Sequence, residues 1–197
     1  DFSIDAAGPT VNAALWLDPV LGELPVASGM RLARLQDAGL ASVAVAAEGD
    51  VRLNGDDPAA RLVLADGASL RLLSSEGTTQ LGGQLSSHAG SVELRAKAGQ
   101  VTVNEATQVQ LNGQWVNQWL DGPRSTAGIV GGKFTAVGGS RVQLGAGSLI
   151  DVSGGASVGV GGAVTGGSAG SISLTHSSIT AVDTPGLVLA GELRGQS

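Results

Sequence analysis

Cysteine and tyrosine are absent from this 197-residue chain, and its aromatic side chains amount to three Trp and two Phe. Without Cys there is no disulfide, no thiolate metal ligand and no Cys nucleophile. Positive charge is also scarce: eleven Lys and Arg stand against seventeen Asp and Glu, a formal net charge of −6, with no basic block. Such a surface repels phosphate backbones, so no nucleic-acid partner is expected. No apolar run reaches the roughly 20 residues that span a bilayer, so the chain is not expected to be membrane-spanning. Hydrophobic residues nevertheless make up 42% of the sequence. That is enough to build a core and too much for a disordered chain. With so few aromatics, the core must be assembled from small and β-branched aliphatic side chains.

The sequence does contain a short apolar-x-apolar pair that keeps returning. The pairs are Val43/Val45, Val51/Leu53, Leu62/Leu64, Leu70/Leu72, Val92/Leu94, Val101/Val103 and Val109/Leu111, then Val142/Leu144, Ile150/Val152, Ile172/Leu174 and Leu187/Leu189. Each sends two alternate side chains to one face, the period-2 signature of a short half-buried strand. Within clusters the starts lie seven to nine residues apart. Turn formers fill the gaps, as in Glu48-Gly49-Asp50, Ala65-Asp66-Gly67 and Gly145-Ala146-Gly147, because Gly, Asn and Asp tolerate positive φ.

Even spacing of this kind suits hairpins or the coils of a solenoid. Hairpins need Asn-Gly-type turns directly between strands. Here Asn54-Gly55 and Asn112-Gly113 both end a block, in Arg-Leu-Asn-Gly and Gln-Leu-Asn-Gly. The expected fold is therefore all-β, a parallel β-helix (β-solenoid) with a thin aliphatic ladder and tight corners. About seven coils at about 4.8 Å each would make a rod about 34 Å long, with Val103 and Leu144 as fully buried ladder positions.

The organisation read from the sequence is a single segment over 1–197, belonging to a longer protein because Asp1 is preceded by no initiator Met or signal sequence and no capping element closes the end. Residues 1–40 form an irregular leading segment. Within it, a short helix over 29–38 is expected, N-capped by Ser28 and stopped by Gly39. Coils follow over 41–111, an extra-helical insertion over 112–140, and further coils over 141–197. From Gly122 to Ile172 the chain holds 16 of its 32 glycines, and 154–170 reads as a long flexible Gly-rich loop.

Two phrases carry a family resemblance. One is Ala38-Gly39-Leu40-Ala41-Ser42-Val43-Ala44-Val45 followed by Gly49-Asp50-Val51-Arg52-Leu53. The other is Gly147-Ser148-Leu149-Ile150-Asp151-Val152-Ser153-Gly154-Gly155, followed by a Gly-rich stretch and Gly170-Ser171-Ile172-Ser173-Leu174. Both resemble repeats of secreted filamentous-haemagglutinin-type exoproteins of the two-partner secretion family. The likeness covers roughly residues 28–197 and does not extend to that family's N-terminal secretion domain. It implies a right-handed parallel β-helix, export through an outer-membrane β-barrel transporter, and a place in the medium or on the cell surface of a Gram-negative bacterium. The roles it implies are adhesion to a host-cell or matrix glycan or protein receptor, aggregation and biofilm formation. Absence of Cys suits a chain that crosses a membrane unfolded.

Parallel β-helices also host enzymes. Polygalacturonase-like hydrolases use an Asp pair, a His and an Arg-x-Lys set, and this chain has Asp56-Asp57, His88 and Arg95-Ala96-Lys97 in that order. Paired carboxylates can act as acid and base. Yet Gly55-Asp56-Asp57-Pro58 reads as a turn, Arg95 and Lys97 as the wet side of a strand, and the upstream Asn-Thr-Asp element is missing. His88 and His176, two isolated His, make no zinc site, and no Asp stands in calcium-repeat register. The expectation is a non-enzyme without cofactor or metal. The remaining candidates are Trp115 and Trp119, in Gln114-Trp115-Val116-Asn117-Gln118-Trp119-Leu120. Exposed, they would form a glycan- or protein-binding platform; packed on the flank near Val101–Leu111, they would seal the insertion, which is the favoured expectation because large aromatics are usually mostly buried.

Overall fold

Alternation of small aliphatics with polar residues puts one row of side chains on each side of a strand, and strands this short bury that row only by stacking. In the computed structural model, which describes residues 2–5, 28–31, 41–54, 58–122, 126–177 and 186–197, this stacking is repeated rung by rung. Strands β1 (Phe2–Asp5) and β2 (Ser28–Arg31) come first. The first rung is β3 (Ser42–Ala47), β4 (Val51–Leu53) and β5 (Arg61–Val63); the second is β6 (Ser69–Ser74), β7 (Thr79–Leu81) and β8 (Gln84–Ser86). The third is β9 (Ser91–Ala96), β10 (Gln100–Val103) and β11 (Gln108–Gln110), followed by β12 (Trp115–Asn117) and helix α1 (Gln118–Asp121). The fourth is β13 (Lys133–Gly138), β14 (Arg141–Leu144) and β15 (Leu149–Asp151), followed by β16 (Ala156–Val158) and β17 (Val164–Gly166). The fifth is β18 (Ser171–His176), β19 (Leu187–Leu189) and β20 (Glu192–Arg194).

Equivalent strands of successive rungs lie side by side and parallel. They form the sheets β3-β6-β9-β13-β18, β2-β1-β4-β7-β10-β14-β19 and β5-β8-β11-β15-β20. Among the described residues the expected seven levels occur in the sheet that β1 and β2 extend, and the other two have five. Register aligns the apolar pairs into continuous rows: Leu53–Leu81–Val103–Leu144–Leu189 in one sheet, Val43–Leu70–Val92–Phe134–Ile172 in the second, Leu62–Leu85–Val109–Ile150–Leu193 in the third. Inward side chains of all three sheets merge into one core, and Val103 and Leu144 are fully buried neighbours within it. The fully buried Phe134 is followed by the small Ala136 in the next row, so bulk is balanced locally. The Thr79 hydroxyl, in a core row, is satisfied: its Oγ1 donates to the Arg95 carbonyl at 2.8 Å.

Corners repeat as faithfully as strands. Ala106 takes left-handed φ at 54° directly beneath a turn in which Gly147 has φ 69°, and the Ala106 N–H donates to the Ala146 carbonyl at 3.0 Å. At another corner Asp50 Oδ1 accepts the Thr78 N–H at 2.8 Å. That hydrogen bond, with the Arg52 guanidinium 2.8 Å from Oδ2, holds the Asp50 carboxyl below its ordinary range.

Three boundaries differ from expectation. The helix expected over 29–38 does not start as such: Ser28–Arg31 is a strand paired with Phe2–Asp5, because a neighbouring edge offers hydrogen bonds that outweigh weak local helix propensity. Residues 32–40 lie outside the described residues. The insertion expected over 112–140 ends before Lys133, since β13 is a regular rung strand between β9 and β18. The 154–170 loop contains the antiparallel hairpin β16–β17, turned at Gly159–Gly162.

If the inward rows hold the fold, Val103→Asp should destabilise the protein by about 3 kcal/mol or more in urea melts, because a lone charge would enter an aliphatic stack. Gln84→Asp, on an outward position of β8, should cost less than about 1 kcal/mol.

Candidate functional site

The insertions of the third and fourth rungs leave the stack at the same corner, after β11 and after β15, and build one flank together. Strand β12 pairs with β16 in parallel, placing Trp115 beside Ala156 and Asn117 beside Val158, and β17 completes a three-stranded sheet. The neck of this flank is crowded with backbone. The Gly155 N–H donates to the Ile129 carbonyl at 2.7 Å, the Ala156 N–H to that of Gln114 at 3.1 Å, and the Gly167 N–H to that of Gly155 at 2.8 Å. A Cβ on Gly155 would collide with the Gln114 carbonyl, and one on Gly167 with that of Ile129. Glycine is required here because chains approach closely, not because the segment is loose. Gln114 also donates through Nε2 to Asp66 Oδ2, tying the flank to the corner between β5 and β6.

Val116 and Ile129 are the buried anchors of this flank. The two indoles are not: Trp115 is 77% exposed and Trp119 61% exposed, with Leu120 at 76%. The packed-flap expectation is thus corrected. Strand alternation turns Val116 inward and Trp115 outward, and α1 begins only at Gln118, capped by Asn117 Oδ1 accepting the Leu120 N–H at 3.2 Å. Gly122, at φ 75°, ends the helix after one turn. Trp115 and Trp119 are still brought to one flank: α1 packs on β16, and a Cβ at Gly162 in the hairpin turn would lie 4.0 Å from Trp119 Cζ3. Val160 and Val164 of the same hairpin are exposed as well. No charged residue occurs between 154 and 170, and Gln114, Asn117 and Gln118 place amides near the indoles in the chain.

Of the polygalacturonase-like set, His88, Arg95 and Lys97 are among the described residues. Arg95 projects outward from β9 and pairs with Glu93 at 3.0 Å, and Glu93 also accepts from Arg71 at 2.8 Å. His88 sits exposed in a corner turn with Nδ1 3.2 Å from the Asn112 carbonyl oxygen. His176 ends β18. Asp56 and Asp57 lie outside the described residues, as does the third tryptophan, Trp16. Among the described residues no three His, Asp or Glu side chains gather as a metal site, and no helix is long and apolar enough to cross a membrane. Comparison with protein-family models, with curated proteins and with solved structures gives no match.

The exposure pattern sets an order of stability effects. Trp115→Ala should cost under about 1 kcal/mol, whereas Gly155→Ala, which forces a side chain into the neck, should cost about 1–3 kcal/mol; thermal melts of the two variants give the comparison.

Proposed function

We propose that this chain is a right-handed parallel β-helix serving as a structural segment of a large secreted or surface-exposed adhesin, and that Trp115 and Trp119 make its contact with a partner. The exposed indole pair is the observation that carries the reading. Large apolar patches on soluble surfaces mark interaction sites, and these rings stand on a flank that the rungs themselves do not need. Stacked parallel sheets with short corners support the β-helix, and parallel crossovers are right-handed in nearly all proteins. Sequence resemblance to filamentous-haemagglutinin-type exoproteins supports a Gram-negative cell-surface or secreted setting, with a β-barrel transporter in the outer membrane as export partner. The receptor in this reading is a host-cell or matrix glycan or protein. It involves no catalysis and no cofactor.

Purified protein immobilised on beads should adhere to epithelial cells or to a glycan array, and the Trp115→Ala/Trp119→Ala variant should lose that adhesion while melting within a few degrees of the parent. Adhesion undiminished in the double variant would remove the tryptophans from the contact.

A further inference from the structure

The tryptophan flank ends in a hairpin tip that the rungs leave uncovered. Every residue from Val160 to Gly166 is exposed, and this stretch carries no charge and a single hydroxyl, that of Thr165. Register gathers the apolar side chains on one face. Trp115 is beside Ala156, which is opposite Gly166, while Val158 of the next row is opposite Val164. Residues directly across a ladder share a face, so Trp115 and Val164 point the same way and Thr165 points the other. Helix α1 adds the exposed Leu120 and Trp119, whose ring reaches the turn at Gly162.

What this tip can meet follows from what it does not offer. A sugar or a protein surface is held in one orientation by a few hydrogen bonds. Here the amides beside the indoles are committed: Asn117 Oδ1 accepts the Leu120 N–H, Gln114 Nε2 donates to Asp66, and Gln118 is engaged as well. The turn also satisfies its own backbone, with the Gly159 N–H donating to the Ala163 carbonyl at 2.8 Å and the Gly162 N–H to that of Gly159 at 2.9 Å. Such a tip asks its partner for no hydrogen bond, and the medium that offers none is hydrocarbon. Indoles suit the boundary between headgroups and acyl chains, being apolar with one N–H donor. The outer edge of β17 has no partner strand among the described residues, so its N–H and C=O groups must stay among headgroups and water, which keeps insertion shallow. Charge selects the lipid. The chain carries a net charge of −6, and residues 112–120 and 154–170 contain no Lys or Arg, so anionic headgroups repel it and zwitterionic ones do not.

We propose that the β16–β17 tip, with the two indoles, inserts shallowly into the surface of a zwitterionic lipid bilayer. The proposal rests on this flank being the contact side of the protein and adds lipid to that contact. The test is flotation of the intact chain with phosphatidylcholine vesicles, with and without phosphatidylserine, together with quenching of tryptophan fluorescence by brominated phosphatidylcholine. Co-flotation with pure phosphatidylcholine is expected, no stronger with phosphatidylserine, and with quenching that Trp115→Ala/Trp119→Ala removes. Val160→Asp/Val164→Asp should weaken partitioning tenfold or more while melting like the parent, since both positions are exposed. Val63→Asp, at an exposed valine of β5 away from this flank, should change partitioning less than twofold. Absence of flotation, flotation that requires phosphatidylserine, full-strength binding by the tip variant or an equal loss in Val63→Asp would each overturn the proposal. If the parent fails to float yet the tryptophan variant loses cell adhesion, the bilayer is overturned and the tryptophan contact stands with another receptor. If the tip variant abolishes flotation while the tryptophan variant still adheres to cells, lipid insertion stands and the tryptophans leave the receptor contact.

Discussion

Each inward side chain sits over its counterpart in the next rung at the strand spacing of about 4.8 Å, and every other feature of the molecule depends on that register. A slip of one residue would turn Leu81, Val103 and Leu144 outward together. Three sheets share the same rungs, so a slip in one would have to be matched at two corners. Those corners are built from backbone hydrogen bonds that recur from rung to rung, such as Ser75 N–H to the Ala47 carbonyl at 3.0 Å and Lys97 N–H to that of Ser74 at 2.9 Å. Strand and corner thus enforce each other, and strands of three residues hold without long ladders of their own.

Much of this was legible in the sequence because the signal is local. A Val-x-Val or Leu-x-Leu pair between turn formers identifies a strand without knowledge of its partners. Legibility failed where the inward position is not a plain aliphatic. Thr79 occupies a core row with its hydroxyl satisfied by the Arg95 carbonyl, so β7 shows Thr-x-Leu and no apolar pair. Leu85 is followed two positions later by Ser87, which bonds the Ala65 carbonyl at 2.7 Å. Phe134-Thr135-Ala136 falls inside the expected insertion and is flanked by glycine pairs, which hide its strand pattern. Glycine was the most misleading residue: Gly155 and Gly167 look like a flexible linker in one dimension, yet they serve a neck where carbonyls of other segments leave no room for Cβ.

The candidate sites divide along the same line. Trp115 and Trp119 were identifiable from composition, but their exposure depended on which of Trp115 and Val116 faces inward, and that is settled by pairing of β12 with β16.

Register itself can be measured directly, since the chain has no Cys of its own. Thr135 of β13 and Ser173 of β18 are outward register partners, with Cα atoms at about the 4.8 Å spacing that a disulfide accepts. Thr175, two residues further along β18, falls beyond the roughly 7 Å limit from Thr135. Mild oxidation of a Thr135→Cys/Ser173→Cys variant should close the disulfide nearly quantitatively, while Thr135→Cys/Thr175→Cys should stay reduced. Closure of the offset pair, or of neither, would contradict the in-register stack.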